Sequence, residues 1–424
     1  MSALAWLIGG CAPAGDAEPE NFHGDPPLAC PERKVFEGTM YFRGDSATGD
    51  AAAFCDTYNA TSSGVTVWET DWLDLSPLAC LCETGTWFTA TENASLASLA
   101  GLDHLAKVGS FNLYDNALLT SLEGLTDIPE VGDWAFRKSE GLASLDGFPS
   151  SAPSGDVELQ WLPNLQDFSA MEEWTSVWGS ILLEDLPYFD DLSPLENLES
   201  VDQLQMFDLP IRSFEGLDSL ELVDYLKVAD SPEFESLVGF PSSLDLRYLV
   251  LSDLGSLATL KGLPGGFTLP NLVIEGTLLT DLSGLDNVDG LEALALFYNW
   301  SLLSVDGLPA SLTTIGDWSI HDNRLLADLE GLSGITQVDD LHITGSNAIT
   351  SIAGLRNVRQ VGKMNIQDLA LLTDLSPLYG VEDIDGYIWI DECDLITEQD
   401  CDELEAVLEN SGAATYREVD CSWF

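Results

Sequence analysis

Over most of the chain one arrangement of apolar and polar positions keeps returning: an apolar residue, two or three others, then Gly-Leu or Pro-Leu. LASLAGL, LTSLEGL, LASLDGF, FDDLSPL, IRSFEGL, LTDLSGL, LADLEGL and LTDLSPL are instances of it. Taking the apolar residue three before the closing one as a marker gives Leu99, Leu122, Leu145, Phe168, Leu192, Phe214, Leu237, Leu260, Leu282, Val305, Leu329, Ile352 and Leu375, spaced about 23 residues apart. An irregular unit at Leu75 precedes them. A period held this long, with slips of a single residue, is the signature of stacked repeats, none of which buries its apolar face alone.

After each marker a second element alternates with period two, as in Ile315-Gly-Asp-Trp318-Ser-Ile320 and Val338-Asp-Asp-Leu341-His-Ile343. Such alternation predicts one short strand per unit, with Trp318, Ile320, Leu341 and Ile343 pointing inward. Strands stacked at about 4.8 Å give a parallel sheet roughly 60 Å long. The expected fold is therefore a repeat solenoid: a parallel β-solenoid of leucine-rich units, closed by terminal caps.

The outward strand positions form two lanes. One runs Asn112, Ala135, Glu158, Leu182, Gln205, Lys227, Val250, Val273, Ala295, Ser319, His342, Asn365 and Trp389; the other runs Tyr114, Arg137, Gln160, Glu184, Phe207, Ala229, Ser252, Glu275, Phe297, His321, Thr344, Gln367 and Asp391. Extended sheet faces of this kind serve recognition in solenoids. Tyr114, Phe207, Phe297 and Trp389 are the expected aromatic anchors for a partner, with Ser319, His321 and His342 beside them. The competing arrangement has loops covering part of the sheet, which makes those aromatics a second core layer.

Asp-Leu-Ser-Pro-Leu at 191–195 and again at 374–378, followed by an LxxV segment and a G-x-L-x-I strand, resembles the internalin-type leucine-rich repeat and also the receptor L-domain, the ligand-binding module of insulin and epidermal growth factor receptors. Ala53-Phe54-Cys55-Asp56-Thr57-Tyr58, then Gly64-Val65-Thr66-Val67, resembles the capping helix, cysteine and first strand with which L-domains open. The resemblance spans residues 50–395 and implies a binding module. It departs in the turn after the strand, where the usual asparagine stands at Asn116, Asn299 and Asn323 but not in most units, which favours the straighter L-domain-like form. At the far end Thr397-Glu-Gln-Asp400 has the pattern of a capping box, Cys401, Leu404 and Leu408 fall on one helical face, and Gly412 closes the helix.

Lys and Arg number 15 against 72 Asp and Glu, a net charge of −57 that repels nucleic acid and anionic membranes. The acidic surface suits a long soluble particle. Calcium is at most a weak expectation, since no DxDxDG loop is present, and no other cofactor is expected. The opening MSALAWLIGGC resembles a bacterial lipoprotein signal in which Cys11 takes the lipid, although no Lys or Arg precedes its apolar run. A cleaved secretory signal, or Cys11 in a disulfide, are the alternatives. The remaining cysteines cluster at the two ends, Cys30, Cys55, Cys80 and Cys82, then Cys393, Cys401 and Cys421, as expected of disulfides pinning caps in an oxidising compartment. Their pairing cannot be deduced from the sequence. The organisation expected is a signal at 1–11, an acidic tether at 12–33, an N-terminal cap at 34–74, the solenoid at 75–396, and a C-terminal cap helix and tail at 397–424.

No GxxxxGK[ST], HExxH or GxSxG occurs, and almost every residue is committed to the repeat, so no enzyme is expected. His321 and His342, with Asp317 and Asp340 on the same face, have the residue types of a divalent metal site. Exposed strand histidines are more often plain surface residues, and no metal is expected. The sequons at Asn59, Asn93 and Asn299 would matter only in a eukaryotic secretory path. These readings converge on a lipid-anchored protein of the cell envelope, at the outer membrane or cell surface and otherwise secreted, which binds a protein or glycan partner on its sheet face. It touches membrane through its lipid alone. The alternative is a structural envelope protein without a discrete ligand site.

Overall fold

The computed structural model describes residues 32–125, 128–148, 153–412 and 419–422. The putting-together of a solenoid begins earlier than residue 75. β1 (Val35–Phe36), β2 (Met40–Arg43), α1 (Ala47–Cys55), β3 (Ala60–Thr61), β4 (Val65–Trp68), β5 (Glu83–Thr84) and β6 (Trp87–Thr91) come first. Then follow β7 (Lys107–Tyr114), β8 (Glu130–Arg137), β9 (Val157–Gln160), β10 (Ser176–Glu184), β11 (Ser200–Phe207), β12 (Leu222–Ala229) and β13 (Asp245–Ser252). The series ends with β14 (Asn271–Glu275), β15 (Ala293–Phe297), β16 (Thr314–His321), β17 (Gln337–Thr344), β18 (Gln360–Gln367), β19 (Asp383–Asp391), α2 (Glu398–Ser411) and β20 (Val419–Ser422).

All these strands belong to one 20-stranded sheet. From β6 on, each pairs in parallel with the next in the chain, and β2, β4 and β6 extend the stack into the span expected to be a separate cap. At the far end β20 adds to β19. The marker pattern does not reveal these outer turns, because β2 packs against α1 and β20 lies beyond α2.

Inside, each strand from β6 to β19 contributes at least two buried side chains, as at Phe111 and Leu113, Trp318 and Ile320, and Leu341 and Ile343. The marker residues form a further buried column from Leu75 to Leu375. Burying a Leu or Phe fully is worth about 1.5–3 kcal/mol, so these columns supply most of the driving force. Aromatic rings run through the N-terminal half in contact, Phe88 to Phe111 at 5.0 Å, Phe111 to Trp134 at 5.3 Å, Trp134 to Phe148 at 4.8 Å and Phe148 to Trp174 at 5.4 Å.

At each marker the chain turns a corner in one of two ways. In Asp-Leu-Ser-Pro-Leu units it makes a 3-10 turn, as at Ser76–Leu78 and Ser193–Leu195, and the Asp carboxylate accepts from the Ser N–H: 2.9 Å for Asp74 and 2.8 Å for Asp191. Two Gly-Leu units, Glu330–Leu332 and Ala353–Leu355, make the same 3-10 turn, and in the others the glycine takes a left-handed conformation instead. Gly307 has φ 101°, and a Cβ on it would collide with the backbone of Leu282 and Ser283 one turn earlier.

The residue after β4 and after each strand from β6 to β19 also turns left-handed, at φ near 50–65°, from Glu69 through Asp115, Asp208 and Asp253 to Glu392, with Gly276 and Gly345 in the same column. Asp tolerates this region better than most residues. One position further in, a buried polar ladder takes over the hydrogen bonds that the turn interrupts. Asn93 Oδ1 accepts from the Thr70 N–H at 3.0 Å, Asn116 Oδ1 from the Asn93 N–H at 3.3 Å, and Ser139 Oγ from the Asn116 N–H at 3.2 Å. Thr277, Asn299, Asn323 and Ser346 repeat the arrangement. The sparse turn asparagines of the sequence are thus parts of two continuous ladders in which Ser and Thr complete the run. The sequon residues Asn59, Asn93 and Asn299 are buried, which closes them to glycosylation in the folded chain.

At the N-terminal end the Cys55–Cys80 disulfide ties α1 to the segment after the Ser76–Leu78 turn. Cys82 and Cys401 are also disulfide-bonded. Cys393 is a correction to the expected framework: it is a free, buried thiol, standing in the inner column that Asn and Leu occupy elsewhere. Cys11, Cys30, the signal and nearly all of the tether lie outside the described residues, as does the Cys421 side chain. At the other end Thr397 caps α2, its N–H donating to Asp400 Oδ2 at 2.8 Å while its Oγ1 accepts from the Asp400 N–H at 3.3 Å. Cys401, Leu404 and Leu408 are buried, and Gly412 ends the helix left-handed at φ 82°.

Two predictions follow from this packing. Gly307→Ala should destabilise the protein by about 1–3 kcal/mol through strain and collision, whereas Gly255→Ala, where nothing lies within 4 Å of an added Cβ, should be neutral or slightly stabilising. Paired denaturant melts check this, and equal effects would refute the corner geometry. Burial pushes the Cys393 thiol up to about 11. Thiolate is then scarce at neutral pH, so alkylation at pH 8 should be at least roughly 100-fold slower than for an exposed cysteine and become complete in denaturant. Because burial raises the folded value, ionisation of this thiol opposes folding: the penalty is absent below the ordinary cysteine pKa and grows as pH rises toward 11.

Candidate recognition surface

The two lanes pair in the expected register, residue against residue, but Ala135, Gln160, Ala229, Val250, Ser252, Ala295 and Asn365 within them are buried. Asn112 pairs with Ala135, Ser319 with His342, His342 with Asn365 and Asn365 with Trp389; in the second lane Tyr114 pairs with Arg137, Phe207 with Ala229, and Phe297 with His321. A third column stands beside them, with Gln203, Tyr225, Tyr248 and Asn271 in register. Trp389 is 37% exposed, while Tyr114, Phe207 and Phe297 are half-buried. Their partial cover includes lane neighbours, since rungs about 4.8 Å apart bring successive side chains into contact. Thus Phe297 and His321 meet edge to face at 5.4 Å, and the Lys227 ammonium lies 4.7 Å from the centre of the Phe207 ring.

Cations recur on aromatic rings over this surface. Arg43 lies 3.8 Å over Trp68, and Arg324 lies 5.8 Å from Trp300. Lys138 sits 5.2 Å from both Tyr114 and Trp161 and donates to the Tyr114 hydroxyl at 3.0 Å, a bond that raises its pKa. Arg137 pairs with Glu158.

His342 is fully committed. Its Nε2 lies 2.9 Å from Asp340 Oδ1, and its Nδ1 lies 2.9 Å from the Asn365 amide nitrogen. Lys363 Nζ holds the other Asp340 oxygen at 3.1 Å. Burial, then the charge of His342, lowers the pKa of His321. Among the described residues no group of three or more His, Cys, Asp or Glu is arranged to hold a metal ion. Ser319 lines up beside His342 as a plain lane residue.

The sequence reading missed the third column and one aromatic. β10 carries a bulge between Val177 and Ser180, and the Trp178 it lifts out is 76% exposed. Gly179 was the available signal, since a Cβ there would run into Gly155 and Asp156. A cleft of ≈ 470 Å³ near Leu291, Thr313 and Asp339 lies away from the aromatic lanes and gathers no chemical constellation.

The left-handed corners stack acidic residues one above another. Burial raises the Asp230 carboxyl and Asp253 raises it further, with Lys227 offsetting part of the effect. Glu275 is raised by burial and by Asp253 in the same way. A raised folded value means that the ionised carboxylate opposes folding: the penalty is absent below the ordinary carboxylate pKa and grows as pH rises through the shifted one. Asp230→Asn, which keeps a residue suited to φ 51°, should therefore raise the Tm at pH 7 in low salt, by less in high salt and not at all near pH 3. A lower Tm at pH 7 would contradict this.

No protein-family model matches the chain, and no curated protein matches it. Among solved structures, the crystal structure of a TLR13–ssRNA13 complex is similar at 13% identity, over 78% of this chain and 72% of that one, with a TM-score of 0.21. The two do not superpose as whole molecules, and the RNA belongs to that complex alone. What stands for this chain is the leucine-rich, parallel β-solenoid fold.

Proposed function

We propose that this protein is an envelope-held recognition module whose outward sheet face captures a protein or glycan partner. The observation that carries the proposal is the register of that face: aromatic, amide and charged side chains, interspersed with Ala, Leu and Val, stand in aligned columns along β7 to β19, with Trp389 open to solvent. A rigid platform of this kind binds without ordering its own backbone, which lowers the entropic cost of association. The disulfides at both ends support an oxidising compartment, and Cys11 in its lipobox-like setting is the proposed lipid anchor. Calcium enters only as a variable of the test.

The immobilised chain, residues 12–424, is exposed to envelope extract and to a glycan array, with and without calcium, beside a Phe207→Ala/Phe297→Ala variant. The native chain should retain a specific partner and the variant should lose it by roughly tenfold or more, with its circular dichroism unchanged. If the native chain retains nothing under any condition, the structural envelope role takes the place of recognition.

A further inference from the structure

The chain has 15 Lys and Arg, and four of the described ones, Arg43, Lys138, Lys227 and Arg324, lie against aromatic rings on the surface. A carboxylate completes one of these pairs, Glu69 holding Arg43 at 2.7 Å. At Arg43 and Trp68, ring, carboxylate and cation form one surface unit. A ring desolvates one face of the cation and its quadrupole attracts the charge, while the carboxylate balances it.

Around Trp178 the first two parts of that unit stand without the third. Val177 pairs with Val201 and Ser180 with Gln203, so the bulged Trp178 lies across from Asp202. The next two strands continue that column with Asp224 and, in the adjacent column, Tyr225 and Tyr248. The two tyrosine rings lie 6.3 Å apart and tilted by 43°, with Tyr248 37% exposed. Burial, then Asp224 and Asp156, raises the Asp202 carboxyl, and no cation contributes. Arg247 reaches Asp224 at 3.8 Å with both side chains largely in solvent.

We propose that the Trp178–Tyr225–Tyr248 platform on β10 to β13 docks a lysine- or arginine-rich segment of a partner protein, one cationic side chain lying on the Trp178 indole beside Asp202. The proposal rests on reading the sheet face as a recognition surface and names the chemistry of the occupant. Charge complementarity selects it: a net charge of −57 draws basic chains in and repels acidic ones, while a neutral glycan gains nothing from the carboxylates. Aromatic residues then convert diffuse attraction into a located contact.

The test measures binding of a fluorescent oligo-lysine peptide to the full chain by anisotropy, with oligo-glutamate and a neutral cello-oligosaccharide as further arms. Trp178→Ala should weaken oligo-lysine binding roughly 3- to 30-fold, Trp178→Phe should retain most of it, and Trp300→Ala, whose ring already holds Arg324, should match the native chain. Because Trp178 is exposed, its variants should melt like the native protein. Equal oligo-lysine binding by native and Trp178→Ala protein overturns the proposal, since attraction would then be spread over the whole surface. Cello-oligosaccharide binding that depends on Trp178, with oligo-lysine binding that does not, overturns it in favour of a glycan platform. An empty capture from envelope extract is a different failure, which removes the recognition reading itself.

Discussion

Each turn of this chain has to return to a point directly beneath its own start, because parallel strands hydrogen-bond only when they lie side by side at about 4.8 Å. That closure constraint accounts for most of the particular residues. A turn of about 23 residues leaves no slack at its corners, so the backbone of one turn presses on the next. Gly307 is glycine because its φ is 101° and a side chain would strike the preceding turn, and Asp74 or Asp191 is aspartate where a 3-10 corner replaces the glycine. The left-handed residue after β4 and after each strand from β6 to β19 breaks the ladder of backbone bonds, and Asn93, Asn116, Asn299 and Asn323 restore it from inside. A buried N–H left without a partner costs about 1–3 kcal/mol, which is why the replacement must be a hydrogen-bonding side chain aimed at that point.

The same constraint governs the outside. Residues at equal positions in successive turns become spatial neighbours, so a preference for Asp at the left-handed corner becomes a stack of like charges. The repulsion shows at Asp230 and Glu275, whose carboxyls are raised by Asp253 as well as by burial. Cations are scarce; some settle on rings, as Lys227 on Phe207 and Lys138 on Tyr114 and Trp161, and others on carboxylates, as Arg137 on Glu158 and Lys363 on Asp340. Such a surface is acidic, with aromatic side chains at intervals along it.

The two asparagine ladders flank a middle stretch in which the same column is mostly apolar, with Leu162, Leu186, Leu209 and Leu254. The β10 bulge and the exposed Trp178 fall in that stretch. The interior there is held by packing where the flanks are held by hydrogen bonds. The surface above it differs too, carrying Trp178, Tyr225 and Tyr248 beside Gln203 and Gln205 where the C-terminal turns carry His321 and His342.

The sequence by itself determined the period, the inward residues and the pairing of the outward lanes. Those features are local: alternation fixes which side chains share a face, and a constant repeat length fixes which residues meet across turns. It also gave the Thr397 cap and the face of α2, because capping acts over three residues. Only the tertiary structure decided what depends on contacts between turns. The bulge at Trp178 and the shared hydrogen bonds of the asparagine ladders arise where one turn's backbone meets the next. The free thiol at Cys393 and the closure of the Asn93 and Asn299 sequons follow from burial in that stack. None of this leaves a mark on composition, and each depends on how closely neighbouring turns approach.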